Sequence, residues 1–551
     1  MQADTFRFWR LPPWIALTIL AAAVLLLPVI VIAASVFLSS GDVWQHLYDT
    51  VLAEYVVNSL LLALGVGCLS LPLGVIPAWL VTLYRFPCSR QLEWALLLPL
   101  AMPAYIIAYT YTGLLDVAGP LQSWLREAFA WQYGDYWFPD IRSLPGAILM
   151  LSLVLYPYIY LLARAAFLEQ SASVVEVART LGMRPAGAFI KVVLPLARPA
   201  IIVGLSLVLM ETLADYGTVQ YFGVTTFTTG IFKTWFGLGS SIAAAQLSAL
   251  LMLFVLLLIL LEQHSRRQSR YHDTSSRYSR LQQKPLHNRF GLPALTACAV
   301  PVLFGFLIPA GQLLLWAMQT WRASLDAGFF ALVGNSIELA LITSVLAALL
   351  ALVCSYARRQ QPGLMTNASS RLLGMGYAVP GTVIAVGVLL PFTWLDRHLS
   401  HWFGLLSDAD PGLLLSGTIA ILVFAYLVRF LALSLNTVEA GLTKIKPSMD
   451  EAGRSLGISG FRLLRRVHIP ILSGSLLTAV LLVFVDVLKE LPATLILRPF
   501  NFNTLAVRTY ELANEERLAD AAFPALAIVL AGIIPVIILS RAISQSRSVY
   551  A

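Results

Sequence analysis

Four acidic side chains interrupt two long apolar stretches of the chain. Glu211 and Asp215 lie in the first stretch, and Asp486 and Glu490 lie in the second. The i, i+4 spacing of each pair places both carboxylates on one helix face. Ionisable groups inside an apolar span are costly and usually face a cavity or a partner. We therefore expect an acidic lining along a path through the apolar layer. The structural alternative is that Lys489 neutralises Glu490 or a neighbouring acid.

The oxygen atoms of these acids suit a hard cation. Carboxylate oxygens are the ligands that such cations prefer, and Tyr216, directly after Asp215, adds a phenolic oxygen at the outer end. A path must release what it binds, so we expect transient contacts rather than a stable metal site. The patterns Gly-x-x-x-x-Gly-Lys-Ser/Thr, His-Glu-x-x-His and Cys-x-x-Cys do not occur. The sequence therefore predicts no catalytic residue and no bound cofactor, and any ATP site must lie on another polypeptide.

A polar, basic segment occurs twice between apolar runs. It reads VEVARTLG at 175–182 and DEAGRSLG at 450–457, and a Pro follows thirteen residues after each final Gly. The matched positions are Glu176, Ala178, Gly182 and Pro195 in the first copy and Glu451, Gly453, Gly457 and Pro470 in the second. Each copy predicts a short helix, a left-handed Gly turn, a second short helix and a Pro stop. Met449, Gly453 and Leu456 are predicted to share one helix face. Amphipathic surface helices without a partner are the alternative.

Composition places the chain in a bilayer. It is 58% hydrophobic and 12% charged, whereas soluble domains carry about 25% charged residues. Because a span needs about 20 apolar residues, twelve membrane helices fit. They are predicted at 14–38, 56–82, 92–115, 146–164, 199–220, 241–262, 292–316, 335–357, 372–394, 414–436, 473–494 and 523–541.

Charge predicts the orientation of these spans. Most of the 37 Lys and Arg residues fall in segments on one side, which the positive-inside rule assigns to the cytoplasm. Both termini and both basic segments then lie inside. The net charge of +8 is thus a topology signal and does not indicate a nucleic-acid partner.

The two halves of the chain resemble each other. Asn58-Ser59 in the second span is matched by Asn335-Ser336, and Pro103 is matched by Pro380. We predict an all-α integral membrane protein with about twelve transmembrane helices in two parallel six-helix repeats. The first repeat covers 1–262 and includes the first polar loop at 165–198, and the second covers 292–551 and includes the second polar loop at 437–472. A basic linker at 263–291 is predicted to contact membrane lipid.

The duplicated segment resembles the cytoplasmic coupling loop of ABC-importer permeases. Asp215-Tyr216-Gly217-Thr218 and Lys489-Glu490-Leu491-Pro492 are similar to stretches of ferric-iron permeases in that family. The resemblance implies a type I permease fold in a bacterial inner membrane. It also implies a cytoplasmic ABC ATPase homodimer that uses ATP, a periplasmic iron-binding protein, and ferric iron as cargo that contacts Asp215 and Glu490 transiently. The first loop departs from the family pattern at Val177, where Ala is common.

Other functions fit part of this pattern. The same machinery could carry thiamine, a polyamine or sulfate, although the acids argue against an anion. A secondary transporter driven by an ion gradient would also suit internal repeats and buried acids. It would not account for two basic loops with matching Gly and Pro.

Overall fold

The computed structural model describes residues 12–169, 183, 185–267, 284–286, 288–406, 413–458 and 460–546, and these residues are predominantly helical. The helices of the first half are α1 (Pro13–Ser35), α2 (Asp42–Thr50), α3 (Leu52–Leu83), α4 (Ser89–Ala95), α5 (Ala104–Leu115), α6 (Pro120–Phe129), α7 (Leu144–Glu169), α8 (Pro185–Ala188), α9 (Leu194–Ala214), α10 (Gly217–Tyr221), α11 (Phe227–Phe236) and α12 (Ser241–Arg267). Two short strands, β1 (Tyr84–Arg85) and β2 (Lys284–Pro285), pair in parallel.

The second half continues in the same way. Its helices are α13 (Asn288–Val302), α14 (Ile308–Ser324), α15 (Ala327–Gln360), α16 (Leu364–Leu373), α17 (Gly381–Leu406), α18 (Ile419–Leu442), α19 (Pro447–Ser455), α20 (Phe461–Leu463), α21 (Ile469–Leu488), α22 (Pro492–Leu497), α23 (Leu505–Asn514) and α24 (Ala522–Ser546). Short 3-10 helices cover Leu98–Ala101 and Gly376–Ala378, and π-helical turns cover Phe189–Val193, Leu303–Leu307 and Leu464–His468.

Length and composition make nine of the described helices candidates to cross a membrane. Two more candidates are pairs of helices bent at a break, and Ala522–Ile538 is a shorter apolar stretch. Together they coincide with the twelve predicted spans. The predicted all-α membrane fold is therefore confirmed.

The third and ninth spans differ from the predicted continuous helices. The chain bends by 93° between Ser89–Ala101 and Ala104–Phe129, and by 116° between Leu364–Ala378 and Gly381–His401. Pro103 or Pro380 stands at each break. Proline disfavours a helical conformation in the residue before it, and both preceding residues are extended, with ψ 110° and 125°. The matching prolines thus break equivalent spans of the two repeats.

A π-helical turn precedes three of the apolar helices. In each case the following helix carries a proline in its first turn. The turns and prolines are Phe189–Val193 with Pro195, Leu303–Leu307 with Pro309, and Leu464–His468 with Pro470. A proline has no N–H for an i→i−4 bond and its ring crowds the carbonyl four residues back, so a locally wider turn accommodates it. The predicted Pro stop is wrong: Pro195 and Pro470 begin a span.

The described helices form two compact units that do not coincide with the sequence repeats. The second-repeat unit contains the described residues within 1–40, 239–249 and 330–507. The first-repeat unit contains those within 41–238, 250–329 and 508–551. Each unit therefore includes a terminal span from the other half of the sequence. The repeat boundaries at 262 and 292 stay predictions about sequence similarity.

Within the second-repeat unit, α1 packs against α16, α17 and α18. One stripe of this helix is buried, at Ile15, Thr18, Ala22, Leu25, Pro28, Ile32 and Ser35. The spacing of three and four residues defines a single helix face. Gly387 permits the close contact with α17, because a Cβ there would lie 2.6 Å from the Pro28 carbonyl oxygen. Packing on this face explains why the first span joins helices of the second repeat.

Within the first-repeat unit, α7 packs between α3 and α9. Ile159 of α7 lies against glycines of both neighbours. A Cβ on Gly74 would lie 2.8 Å from the Ile159 Cβ, and one on Gly204 would lie 2.8 Å from the Ile159 Cα. Small residues allow membrane helices to approach this closely. The three-helix contact therefore depends on two glycines.

The Asn-Ser pair of the second span joins it to the segment before α11. The Asn58 side-chain amide donates to the Thr225 carbonyl oxygen at 2.9 Å. The Ser59 hydroxyl accepts the backbone N–H of Phe227 at 3.2 Å. Both side chains thus satisfy polar groups where the backbone leaves the regular helix.

The matching pair in the eighth span makes the same contacts. Asn335 donates to the Asn503 carbonyl oxygen at 3.2 Å, and the Ser336 hydroxyl accepts the Leu505 N–H at 2.8 Å. The sequence match between the halves therefore reflects equivalent local structure, within each unit, before α11 and α23.

The glycine contact at Ile159 predicts that Gly204→Val destabilises the protein. The added side chain meets helix backbone that cannot move aside, so we expect a loss of about 1–3 kcal/mol. Thermal unfolding of the purified protein in detergent measures it. Gly311→Val is the matched control, since nothing lies within 4 Å of a Cβ there. Equal melting temperatures for both variants would contradict the packing argument.

Candidate functional site

The second coupling segment contains a short helix, a glycine turn and a second helix. Helix α19 ends in a Schellman motif, in which the Ile458 N–H donates to the Gly453 carbonyl at 2.9 Å and the Gly457 N–H donates to that of Arg454 at 3.0 Å. Gly457 has φ +74°, the left-handed conformation that favours glycine at this position. The sequence predicted this turn correctly.

The buried side of α19 runs through Asp450 and Gly453. Asp450 and Gly453 are buried, whereas Met449 is 46% exposed and Leu456 is 77% exposed. A Cβ on Gly453 would lie 2.5 Å from the Leu463 Cδ1, so the glycine allows α19 to lie on the next helical segment. Of the predicted common face of Met449, Gly453 and Leu456, only Gly453 is therefore buried, because the contact with Leu463 is made at the glycine.

The second coupling segment also presents exposed residues of mixed chemistry. Glu451, Met449 and Leu456 are exposed on and directly after α19, and Phe461 at the start of the next helix is 58% exposed. Exposed apolar groups and an exposed charge within one short segment suit a contact that combines burial with an ion pair. These side chains are accessible to a partner.

The first coupling segment is only partly described. Glu176, Ala178 and Gly182 lie outside the described residues. Pro195 lies in the first turn of α9, as Pro470 does in α21. The described end of the first segment thus matches the second.

Asp215 does not share a helix face with Glu211. Helix α9 ends at Ala214, and Asp215 is extended with ψ 133°. Its carboxylate accepts the backbone N–H groups of Thr218 and Val219, each at 3.1 Å. Asp215 therefore caps α10, and the predicted helical i, i+4 relation is wrong because the helix has already ended.

Glu490 occupies the equivalent break after α21, which ends at Leu488. Its carboxylate accepts the Ala493 N–H at 3.2 Å and pairs with the Arg429 guanidinium at 2.7 Å. The pair is buried, and a Cβ on Gly381 would lie 2.5 Å from the Glu490 Oε1. The helix-face prediction fails here too, and Glu490 is held by an arginine from α18.

Lys489 pairs with Asp486, a neighbouring acid of the kind that the structural alternative named. Their charged atoms lie 2.7 Å apart, and the Asp486 side chain is 15% exposed. Tyr216 is buried against Phe232 and Tyr510, with ring centroids at 4.9 and 6.1 Å. The predicted path residues are thus engaged with neighbours.

Asp450 on the buried face of α19 forms a cluster that the sequence did not reveal. Its carboxylate lies 2.8 Å from the Arg359 Nε and 2.7 Å from the His468 Nε2. Burial opposes ionisation of Asp450, but the hydrogen bonds and charges of Arg359 and His468 outweigh burial and lower its pKa from the ordinary 3.8. Its stabilising contribution is present above about pH 4 and is lost as the pH falls through the lowered folded-state pKa. Arg359, Asp450 and His468 are called the Asp450 cluster below.

Sequence reasoning missed Arg359, His468 and Arg429 as site residues. Arg429 had one signal, because it is a charge inside a predicted span. Arg359 and His468 had no such signal, because their separations from Asp450, 91 and 18 residues, match no local spacing.

Among the described side chains, no group of three or more His, Cys, Asp and Glu residues is arranged to hold a metal ion. The carboxylates at the two helix breaks already accept hydrogen bonds or an ion pair. The geometry thus shows capped breaks and an exposed coupling face.

Two known proteins match this chain over most of its length, and a third matches less than half of it. The "Fe(3+)-transport system permease protein FbpB 2" of Haemophilus influenzae is 28% identical over 97% of this chain and 99% of its own. A "Probable ABC transporter permease protein y4fN" of Sinorhizobium fredii is 22% identical over 86% of this chain and 85% of its own. A "Putative 2-aminoethylphosphonate transport system permease protein PhnV" of Salmonella typhimurium is 27% identical over 43% of this chain and 88% of its own.

A family described as "Binding-protein-dependent transport system inner membrane component" matches residues 70–270 and 343–548. The two matches fall one in each predicted repeat and include both coupling segments. Together they cover more than half of the sequence. The protein therefore belongs to this family of ABC-transporter permeases and is a transport subunit, not an enzyme.

Proposed function

We propose that this protein is the permease of an ABC importer that carries ferric iron across the inner membrane. The observation that carries the proposal is the similarity to the Haemophilus influenzae relative named for Fe(3+) transport, which extends over nearly the whole of both chains. The relative named for 2-aminoethylphosphonate matches 43% of this chain. This partial match supports the ABC-transporter architecture more than it supports 2-aminoethylphosphonate as the cargo. An ion-gradient mechanism is not supported, because the family is binding-protein-dependent.

The coupling segments are the proposed contacts with a cytoplasmic ATPase homodimer. The exposed residues of the second segment support this role, because the charged Glu451 and the apolar Met449 and Leu456 are all accessible there. ATP binding would close the ATPase dimer and move both segments, which would alternate access to the path. A periplasmic iron-binding protein would deliver the cargo from the other side.

The orientation of the chain follows from its charge. Loops rich in Lys and Arg stay in the cytoplasm, and both coupling segments fall on that side in the twelve-span arrangement. We therefore place the N- and C-termini in the cytoplasm. The linker at 263–291 would lie on anionic headgroups there.

Glu211, Asp215, Tyr216 and Asp486 are the proposed path residues. Ferric ion prefers oxygen ligands, and partly exposed carboxylates could contact it briefly. Asp215 and Asp486 each already have a partner, which suits release of the ion. Glu490, which the sequence predicted as a path residue, would instead hold the second break through Arg429 and would not contact the ion.

Removal of the Glu451 charge should uncouple transport. Glu451→Gln keeps the size of the side chain but removes the proposed contact with a basic group on the ATPase. We expect uptake to fall by about tenfold, the scale of a typical coupling between two sites. Uptake into vesicles with the ATPase and binding protein present measures this. Glu127→Gln, an exposed acid in α6, is the matched control, and wild-type uptake by Glu451→Gln would refute the docking role.

Reporter fusions test the topology. A reporter at Ser275 in the linker should give a cytoplasmic signal, and one at Gln132, after α6, should give a periplasmic signal, because charge asymmetry sets the orientation. Alkaline phosphatase and fluorescent-protein activities in whole cells distinguish the two sides. The reverse signal at either position would overturn the twelve-span arrangement.

Neutralising the path acids should slow iron uptake. Asp215→Asn retains a good helix cap while it removes the charge, and Glu211→Gln removes its neighbour. We expect each variant to lower the uptake of radioactive ferric iron roughly tenfold, equivalent to about 1.4 kcal/mol. Asp396→Asn is the control, because Asp396 similarly caps the N–H groups of Leu415 and Ser416. Unchanged uptake in Asp215→Asn would leave that residue a purely structural cap.

Glu490→Gln should behave differently in the same assay. It breaks the buried Arg429–Glu490 pair, which costs about 3–5 kcal/mol, so we expect lower thermal stability as well as lower uptake. The double variant Glu490→Gln with Arg429→Met should recover stability. If Glu490→Gln alone kept the wild-type melting temperature, Glu490 would again be proposed as a path residue.

A further inference from the structure

The Asp450 cluster ties the second coupling helix to the spans. The Asp450 side chain of α19 is bonded by Arg359 at 2.8 Å and by His468 at 2.7 Å. The His468 side chain is fully buried, and those of Asp450 and Arg359 are 11% and 17% exposed. Such bonds are screened much less by solvent than a surface pair. The cluster is therefore a firm connection between elements.

Each member of the cluster belongs to a different element. Arg359 lies at the end of α15, and His468 closes the π-helical turn that leads into α21. Arg359 also donates to the carbonyl oxygens of Leu442 and Ile445, each at 2.9 Å. Those carbonyls lie at and beyond the end of α18, where a positive charge is favourable. Two spans thus bond the carboxylate of the coupling helix, and Arg359 links the end of a third span, α18, to the same cluster.

A neighbouring aromatic residue supports the same connection. The Tyr356 hydroxyl donates to the Gly460 carbonyl at 2.8 Å, within the turn between α19 and α20. Its ring packs edge-on against His468 with centroids 5.3 Å apart. Both sides of the glycine turn are therefore held to α15.

The first coupling segment has no counterpart of Asp450 or His468. At the 275-residue offset that relates the two coupling segments, Val175 stands in place of Asp450 and Val193 in place of His468. Val193 is buried in its own π-helical turn. Two valine side chains offer no hydrogen bond or charge, so a bond equivalent to Asp450–His468 cannot form between these two positions of the first segment.

We propose that Arg359, Asp450 and His468 are positioning residues that make the second coupling helix a rigid arm between the ATPase and spans eight, ten and eleven. The role as an arm rests on the proposed docking of the ATPase. The rigidity itself does not, because the three side chains hold α19 within the permease alone. The two coupling loops are then unequal: the second transmits movement directly through the Asp450 cluster, and the first depends on other contacts.

A spin label tests the rigidity without any partner. A nitroxide at Ser448→Cys, an exposed position of α19, is placed in a variant without the four native cysteines. In the permease alone, we expect the label to become more mobile in Asp450→Asn and in His468→Leu. His468→Gln retains an N–H near the place of Nε2 and should keep the label immobile. Glu439→Gln is the matched control, because it breaks the Arg358–Glu439 pair next to Arg359 without touching α19.

Transport assays test the consequence. With ATPase and binding protein present, Asp450→Asn should raise the ATP hydrolysed per ion moved by about tenfold, the scale of a lost coupling, whereas Glu439→Gln should not. An immobile label in both Asp450→Asn and His468→Leu would overturn the proposal. So would a loss of uptake in these variants, or in His468→Gln, without added mobility, since the residues would then act by direct contact. If the wild-type permease failed to bind the ATPase, the docking proposal would fail, while the label would still decide rigidity.

Discussion

Lipid offers no hydrogen bonds, so every backbone group at membrane depth must find a partner within the protein. This constraint governs the places where the described spans are broken. Pro103 and Pro380 remove a donor where the chain bends, and Asp215 and Glu490 accept N–H groups of the short helices that follow a span. Asp215 and Glu490 are thus first of all caps. Any role of these two acids in transport must therefore be compatible with capping the short helices.

The two repeats meet the same constraint with different chemistry. Asp215 is held by the backbone and hydroxyl groups of its own short helix, whereas Glu490 also takes a guanidinium from a separate span. The coupling segments differ in the same sense, with Asp450 and His468 opposite two valines. Breaking a buried pair is costly, because it leaves an uncompensated charge. At both positions, the described contacts of the second repeat include an ion pair with an arginine of another helix.

The proposed mechanism combines movement at the coupling segments with stability in the spans. The glycine contacts at Ile159 and at Pro28 allow helices to approach closely, which favours rigid bodies over flexible ones. Glu451 is exposed to another chain, while Asp450 of the same helix is bonded to Arg359 and His468. A partner that moves this helix would thus move a packed group of helices.

The sequence alone determined the membrane class, the span positions, the duplicated coupling segment and the left-handed Gly457. These features are local or periodic, because hydropathy, a repeated motif and a helix C-terminus are written in neighbouring residues. It also supported the family assignment, since Glu176, Glu451 and their glycines recur in register. Only the tertiary structure decided that Asp215 and Glu490 stand beyond helix ends, that Glu490 pairs with Arg429, and that Asp450 faces inward to Arg359. The partners of those acids lie up to 91 residues away, and packing rather than spacing brings them together.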